Sequence, residues 1–209
     1  MNAPLDQDAL DQLFYKARSH NAWLDRPLGD DILRELYQLT RMAPTSANCC
    51  PARIVFLRSP AAKERLRGAL NPGNVDKAMT APVTAIIGYD LQFYERLPFL
   101  FPHKDIRASF AGNRAHAEAT AFRNSSLQGA YFMLAARALG LDCGPMSGFD
   151  QAMLDREFFA APELGMPESD AAPQTLVRTN FLCNLGYGDS SAMLPRLPRL
   201  DFDAACLLL

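Results

Sequence analysis

From Arg114 to Leu139 the chain offers one continuous helical pattern, with Gly129 as its only weak point and Gly140 as a natural stop. At 1.5 Å per residue such a helix is roughly 35 to 40 Å long. Nothing else in the chain is as long, so the other elements must be arranged around it. Ala115, Ala119, Ser126, Gly129 and Ala130 give it a face of mostly small residues, which admits a second helix at close range. A second subunit or another helix of the same chain would use that face equally well.

The strand signals are short by comparison. Ile54 to Leu57 is β-branched and aromatic, as a buried strand would be, and Pro82 to Ile87, Leu141 to Cys143 and Leu176 to Leu185 read similarly. Helical patterns fill the spaces between them: residues 4 to 18, a segment after Pro27 with Asp30 and Asp31 placed to cap it, a helix opened by Ser59-Pro60, a short one from Asn74 to Met79, and Phe149 to Phe159. Ala160 to Pro173 is proline-punctuated and reads as an exposed loop, and the tail from Pro195 to Leu209 carries Arg196 and Arg199. The economical assembly is one α+β domain spanning residues 1 to 209, with a mixed sheet flanked by helices.

The 209 residues suffice for a sizeable core, and a formal net charge of −2 argues against general nucleic-acid or membrane-surface binding. The most apolar long run, Gly129 to Leu141, is interrupted by Arg137 and falls short of the about 20 residues a bilayer requires. Five cysteines without metal spacing, and a polar, acidic start in place of a signal, point to a reduced, cytoplasmic protein. There is no dinucleotide-binding glycine motif, phosphate loop, nucleophile elbow or metal-ligand histidine pair. Cys49-Cys50 reads as packing, since adjacent cysteines close a ring only with strain.

What remains is a series of polar loops. Arg18 to Asn21, Pro44 to Asn48, Asn74 to Lys77, Pro145 to Gly148 and Arg196 to Arg199 supply hydroxyls, amides, free backbone N–H groups and guanidinium forks suited to a phosphate. Between Tyr89 and Phe110 many aromatics lie in an irregular segment, readable either as a wall over a flat ligand or as a second small core.

Taken in order, these loops resemble the nitroreductase superfamily of FMN enzymes over nearly the whole chain. ARSHNAW resembles its opening phosphate and ribityl motif (Arg18, Ser19, His20, Asn21), and APTSANCCPARIVFL resembles a segment that the partner subunit contributes (Pro44, Thr45, Ser46, Asn48). Asn74 and Lys77 resemble the flavin-contacting pair, and GPMSGFD resembles the run that meets flavin N5 (Pro145, Met146, Ser147, Gly148). Arg199 resembles the phosphate-binding end. Ala17, Asn21, Cys50 and Leu197 depart from the family pattern, which leaves the phosphate mainly to Arg18 and Arg199. More narrowly, HNAW, FYERLPFLFPH, AFRNSSLQGAY and NLGYGDSS resemble the HadB/RutE subfamily, which includes the malonic semialdehyde reductase of pyrimidine degradation.

The resemblance implies an interlocked homodimer with FMN at each subunit interface and ping-pong hydride transfer from NADH or NADPH through flavin N5. Ser147, Gly148 and Lys77 would act at the flavin, and Phe93, Phe101, Phe110 and Arg123 would face the substrate, with Lys104 and Arg107 as further cations for a short acid. The acceptor would be malonic semialdehyde, reduced to 3-hydroxypropionate; a general nitroaromatic or quinone reductase and a non-catalytic flavin-binding protein are the alternatives.

Overall fold

The computed structural model describes residues 3–160 and 176–209; the loop expected up to Pro173 lies, beyond Ala160, outside the described residues. Strands β1 (Ala52–Leu57), β2 (Val83–Asp90), β3 (Asp142–Met146) and β4 (Val177–Gly186) form a sheet in the order β1-β2-β4-β3. The α+β architecture is as expected, but all three strand pairings are antiparallel. The parallel component of the expected mixed sheet is confined, among the described residues, to a bridge between Ser19 and Cys143. The strand connections carry helices and are long enough to return the chain in either direction, so spacing could not settle strand sense.

β2 is buried along its whole length because both faces of the sheet are covered. Side chains alternate across a strand. Val83, Ala85 and Ile87 therefore join Leu33 and Leu36 of α2 (Asp30–Thr40) and Phe132, Ala135 and Ala136 of α7 (Arg114–Ala138) on one face. On the other face Ile86 meets Leu66 of α3 (Pro60–Arg67), Ala78 of α4 (Pro72–Thr80) and Leu154 of α8 (Gln151–Leu154). Burial of Phe132 alone contributes about 1.5–3 kcal/mol. β1, expected to be buried, is an edge strand and mostly half-buried.

The long helix forms as anticipated. Asn113 caps it by accepting from the His116 N–H at 3.1 Å, and Gly140, at φ 74°, provides the left-handed stop. Its small-residue face divides. Gly129 points at the sheet, where a Cβ would lie 2.5 Å from Phe181, while Ala115, Ala119 and Ala130 are exposed.

Other helices differ from expectation. The first is only α1 (Gln7–Leu10), continued by a π turn over Asp11–Tyr15, and α8 likewise passes into a π turn over Asp155–Phe159. Gly29, not Asp30 or Asp31, is the N-cap of α2, and Asp30 pairs with Arg58 instead. The aromatic segment winds into α5 (Leu97–Leu100) and α6 (Arg107–Ala111). Its Phe93, Leu97 and Phe110 close a third core cluster with Tyr89 and Cys49. The tail is extended apart from α9 (Phe202–Ala205).

Candidate functional site

Beyond α1 the chain runs extended along β3. Ser19 pairs with Cys143, the His20 N–H donates to the Cys143 carbonyl at 2.9 Å, and Trp23 bridges Gly188. His20 is turned inward: its Nε2 lies 3.3 Å from Asp142 Oδ1, and its ring lies so close to Gly188 that no side chain fits there. That inward turn leaves Arg18, Ser19 and Asn21 on the open side. They line a cleft of about 280 Å³ with Arg137, Arg196 and Arg199, and Asp189 is the only carboxylate among its described lining residues. The Ser191 hydroxyl and N–H hold Asp189 below the usual carboxylate range, so it stays anionic.

Each guanidinium in this cleft is pinned by a carbonyl and none has a carboxylate partner among the described ion pairs. Arg18 donates to Leu194 O at 2.5 Å and Arg137 to Leu13 O at 3.0 Å. Arg196 donates to Tyr15 O and Ala17 O at 2.7 and 2.9 Å. Arg199 donates to Leu197 O and Pro198 O of its own tail. Arg196 opens the polar loop Arg196 to Arg199 read from the sequence as suited to a phosphate, whereas Arg137 was not among the sequence candidates. Arg137 is the one charge in the apolar run from Gly129 to Leu141, a signal read there only as an interruption.

A second group gathers where β3 ends. Asn74 Nδ2 donates to Gly148 O at 3.0 Å, the Asn71 N–H donates to the same oxygen at 3.0 Å, and Lys77 Nζ reaches Asn74 Oδ1 at 3.4 Å. A Cβ at Gly148 would lie 2.6 Å from Asn74 Nδ2, so only glycine lets the two segments meet this closely. The Lys77 carbonyl is itself held by Trp23 Nε1 at 3.2 Å and Asn184 Nδ2 at 3.1 Å. Pro145 and Ser147 are exposed beside this cluster, and Met146 is half-buried, its apolar side packed on the second core cluster. Asn74, Lys77, Ser147 and Gly148 are therefore brought together, and β3 connects them to the arginine cleft.

The segment from Pro44 to Asn48 is not brought to that cluster within one chain. Ser46 N–H donates to Asn124 Oδ1 at 2.8 Å, Asn48 Nδ2 donates to Leu100 O at 2.9 Å, and the Cys50 N–H donates to Thr45 Oγ1 at 3.2 Å. Ala47, Asn48 and Cys50 have φ of 49°, 51° and 40°, a left-handed turn built without glycine. Such strain persists only where surroundings over-determine it. Cys49 behind it is a buried thiol pushed up to about 12 by burial, too high to serve as a thiolate near neutral pH.

The substrate candidates separate. Phe93 has no exposed surface and Phe110 is nearly as buried, their rings 5.0 Å apart, so both belong to the core; Phe101 is half-buried beside His103. Arg123 is exposed on α7, whereas Arg107 is paired with Glu95 at 2.6 Å. A cavity of about 770 Å³ lies between Arg114, Arg156 and Arg178, and Phe110 is the proposed substrate residue among its described lining. Among the described residues no helix is long and apolar enough to cross a membrane.

A model of the nitroreductase family matches residues 15–175. A protein of Burkholderia lata that carries the provisional name NADH dehydrogenase/NAD(P)H nitroreductase is 58% identical over 199 residues, which cover 95% of each chain. Among solved structures, a provisionally assigned nitroreductase of Bacillus subtilis, ydfN, superposes with a TM-score of 0.81 at 20% identity, covering 98% of this chain and 100% of that one. One of Exiguobacterium sibiricum, solved in complex with FMN, does so with a TM-score of 0.75 at 18% identity, covering 100% of both chains.

Proposed function

Because this chain belongs to the nitroreductase family, whose members are FMN-dependent NAD(P)H oxidoreductases, we propose that it is a dimeric ping-pong reductase with FMN seated between the arginine cleft and the Asn74–Gly148 cluster. The observation that carries this reading is the connection made by β3. Its Cys143 pairs with Ser19 at the cleft, and its far end leads to Ser147 and Gly148. The donor set suits the group: guanidinium forks without carboxylate partners for a phosphate, and an amide, an ammonium and close backbone for a flat polar ring. Bound FMN supplies the hydride relay between nicotinamide and acceptor.

The chain's own residues do the remaining work. Arg18, Ser19 and Arg199 bind and neutralise the phosphate, while His20, buried behind them, fixes their register against β3. Asn74 and the Gly148 backbone would hold the flat ring of the flavin, and Lys77, its backbone fixed by Trp23 and Asn184, would supply positive charge beside it. Pro44, Thr45, Ser46 and Asn48, anchored away from the cluster in their own chain, serve the partner subunit's site, and the exposed apolar side of α7 joins the two subunits. The free cysteines support a cytoplasmic setting.

For the acceptor we propose a small carbonyl acid, malonic semialdehyde reduced to 3-hydroxypropionate. Arg123, exposed on rigid α7, is a cation suited to its carboxylate, with exposed Lys104 as the second choice, since Arg107 is engaged by Glu95.

The test is to reconstitute the purified protein with FMN, measure its mass, and add NADH without oxygen. Rapid bleaching of the flavin bands in a dimer is expected, and Lys77→Ala slows that bleaching more than it weakens flavin retention. Flavin reduced no faster than free FMN would make the protein a binder only. Reoxidation by a nitroaromatic or quinone but not by malonic semialdehyde would replace the acceptor assignment with general nitroaromatic or quinone reduction.

A further inference from the structure

The cleft beside Ser19 holds more positive charge than the motif positions supply. Where the family pattern places further cations, this chain has Ala17, Asn21 and Leu197. Arg137 enters instead from the last turn of α7, and Arg196 from the tail. Two features separate these residues from ordinary surface arginines. Arg137 Nη1 is pinned by Leu13 O, and its Nε is buried without any partner among the described residues. Arg196 Nη2 is pinned by two carbonyls, Tyr15 O and Ala17 O. Each guanidinium has five donors, so pinning at one nitrogen orients the fork and leaves donors for a ligand. Four pinned forks facing one carboxylate form a seat for a dianion, and a phosphate monoester carries about −1.5 to −2 charges at neutral pH.

We propose that Arg137 and Arg196 complete this anion seat and set its preference for a phosphorylated flavin over the unphosphorylated one. This rests on the flavin reading above. The charge absent from the motif positions is thereby restored from two unrelated parts of the chain: one arginine rides on the scaffold helix and the other on the segment that closes over the cleft.

The experiment measures binding of FMN and of riboflavin, side by side, to the wild-type protein and to Arg137→Met, Arg137→Lys, Arg196→Met and Gln12→Ala. Methionine keeps much of the stem packing and removes the fork. Gln12→Ala loosens the same junction, where Gln12 Nε2 donates to the Arg137 carbonyl at 2.7 Å, without removing charge. The expected result is that each methionine variant binds FMN about tenfold more weakly or worse while riboflavin binding is unchanged. Arg137→Lys retains most of the FMN preference and Gln12→Ala all of it, and inorganic phosphate competes with FMN less well in the methionine variants. Equal weakening of both flavins, or no change in either, would make the two arginines structural straps and overturn the inference while the flavin reading stands. Wild-type protein that binds neither flavin would overturn that reading, and the inference with it.

Discussion

Gly148 is held between two amides: an added methyl would lie 2.6 Å from Asn74 Nδ2 and 3.1 Å from Asn71 Nδ2. In Gly148→Ala the Asn74 side chain must swing away and give up its bond to the Gly148 carbonyl. The expected cost is about 0.5–1.5 kcal/mol of stability, with a larger loss of FMN affinity because Lys77 loses the neighbour that orients it. Denaturant midpoints and an FMN titration check both, and wild-type affinity in the variant would place the flavin ring elsewhere. Asn74, Lys77 and Gly148 were each legible in the sequence because each sits in a short motif whose chemistry is local, but their meeting across 74 positions was not. Arg137 was not legible, because its neighbours in the cleft come from residues more than fifty positions away. His20 lies in the segment that resembles the phosphate motif, but its inward turn depends on the space left by Gly188.

The turn from Ala47 to Cys50 illustrates an element whose sequence understates its strain. Three non-glycine residues there have positive φ, and the left-handed region costs roughly 1–2 kcal/mol per L-residue. Glycine relieves that cost but gives back about 0.5–1 kcal/mol in unfolded-chain entropy. Ala47→Gly is therefore expected to raise stability by up to about 1 kcal/mol, read as a higher urea midpoint with an unchanged slope. A lower midpoint would mean that the Ala47 methyl contributes packing that outweighs the strain. The helices of this fold were readable in proportion to their length. The pattern from Arg114 to Leu139 nearly coincides with α7, whereas the first and eighth helices end in π turns that periodicity cannot distinguish from α-helix.

The molecule as a whole leaves apolar surface uncovered on α7 and the tail, and the proposed dimer would set a second copy against it. Leu127 and Tyr131, one turn apart on α7, are 46% and 40% exposed on the helix that the rest of the chain packs against. Leu194, Leu197, Leu200 and Phe202 of the tail are more exposed still. Burying such a surface against its symmetry mate is the ordinary route to a twofold dimer. Leu127→Glu with Tyr131→Glu is expected to shift the sedimentation mass to that of the monomer and to weaken FMN retention, since Pro44 to Asn48 would then be withdrawn from the partner's site. A dimer of unchanged mass and flavin content would remove this face from the interface. Fold class was visible from one long helix and four short apolar runs, but sheet order and strand sense were not. The edge position of β1 was missed because β-branched and aromatic composition marks a strand without saying how many neighbours it has.

Local chemistry was enough to specify the scaffold helix and its Gly140 stop, the strands β2 and β4, and the polar loops that carry the family motifs. Those features depend on residues within a few positions of one another, where periodicity, capping and turn chemistry act directly. Three-dimensional packing decided which loops lie beside one another. It turned His20 inward, assigned Phe93 and Phe110 to a core, anchored Pro44 to Asn48 away from the Asn74 cluster, and brought Arg137 and Arg196 beside Arg18. Those outcomes depend on contacts between residues distant along the chain, and one-dimensional spacing carries no information about which of them will meet.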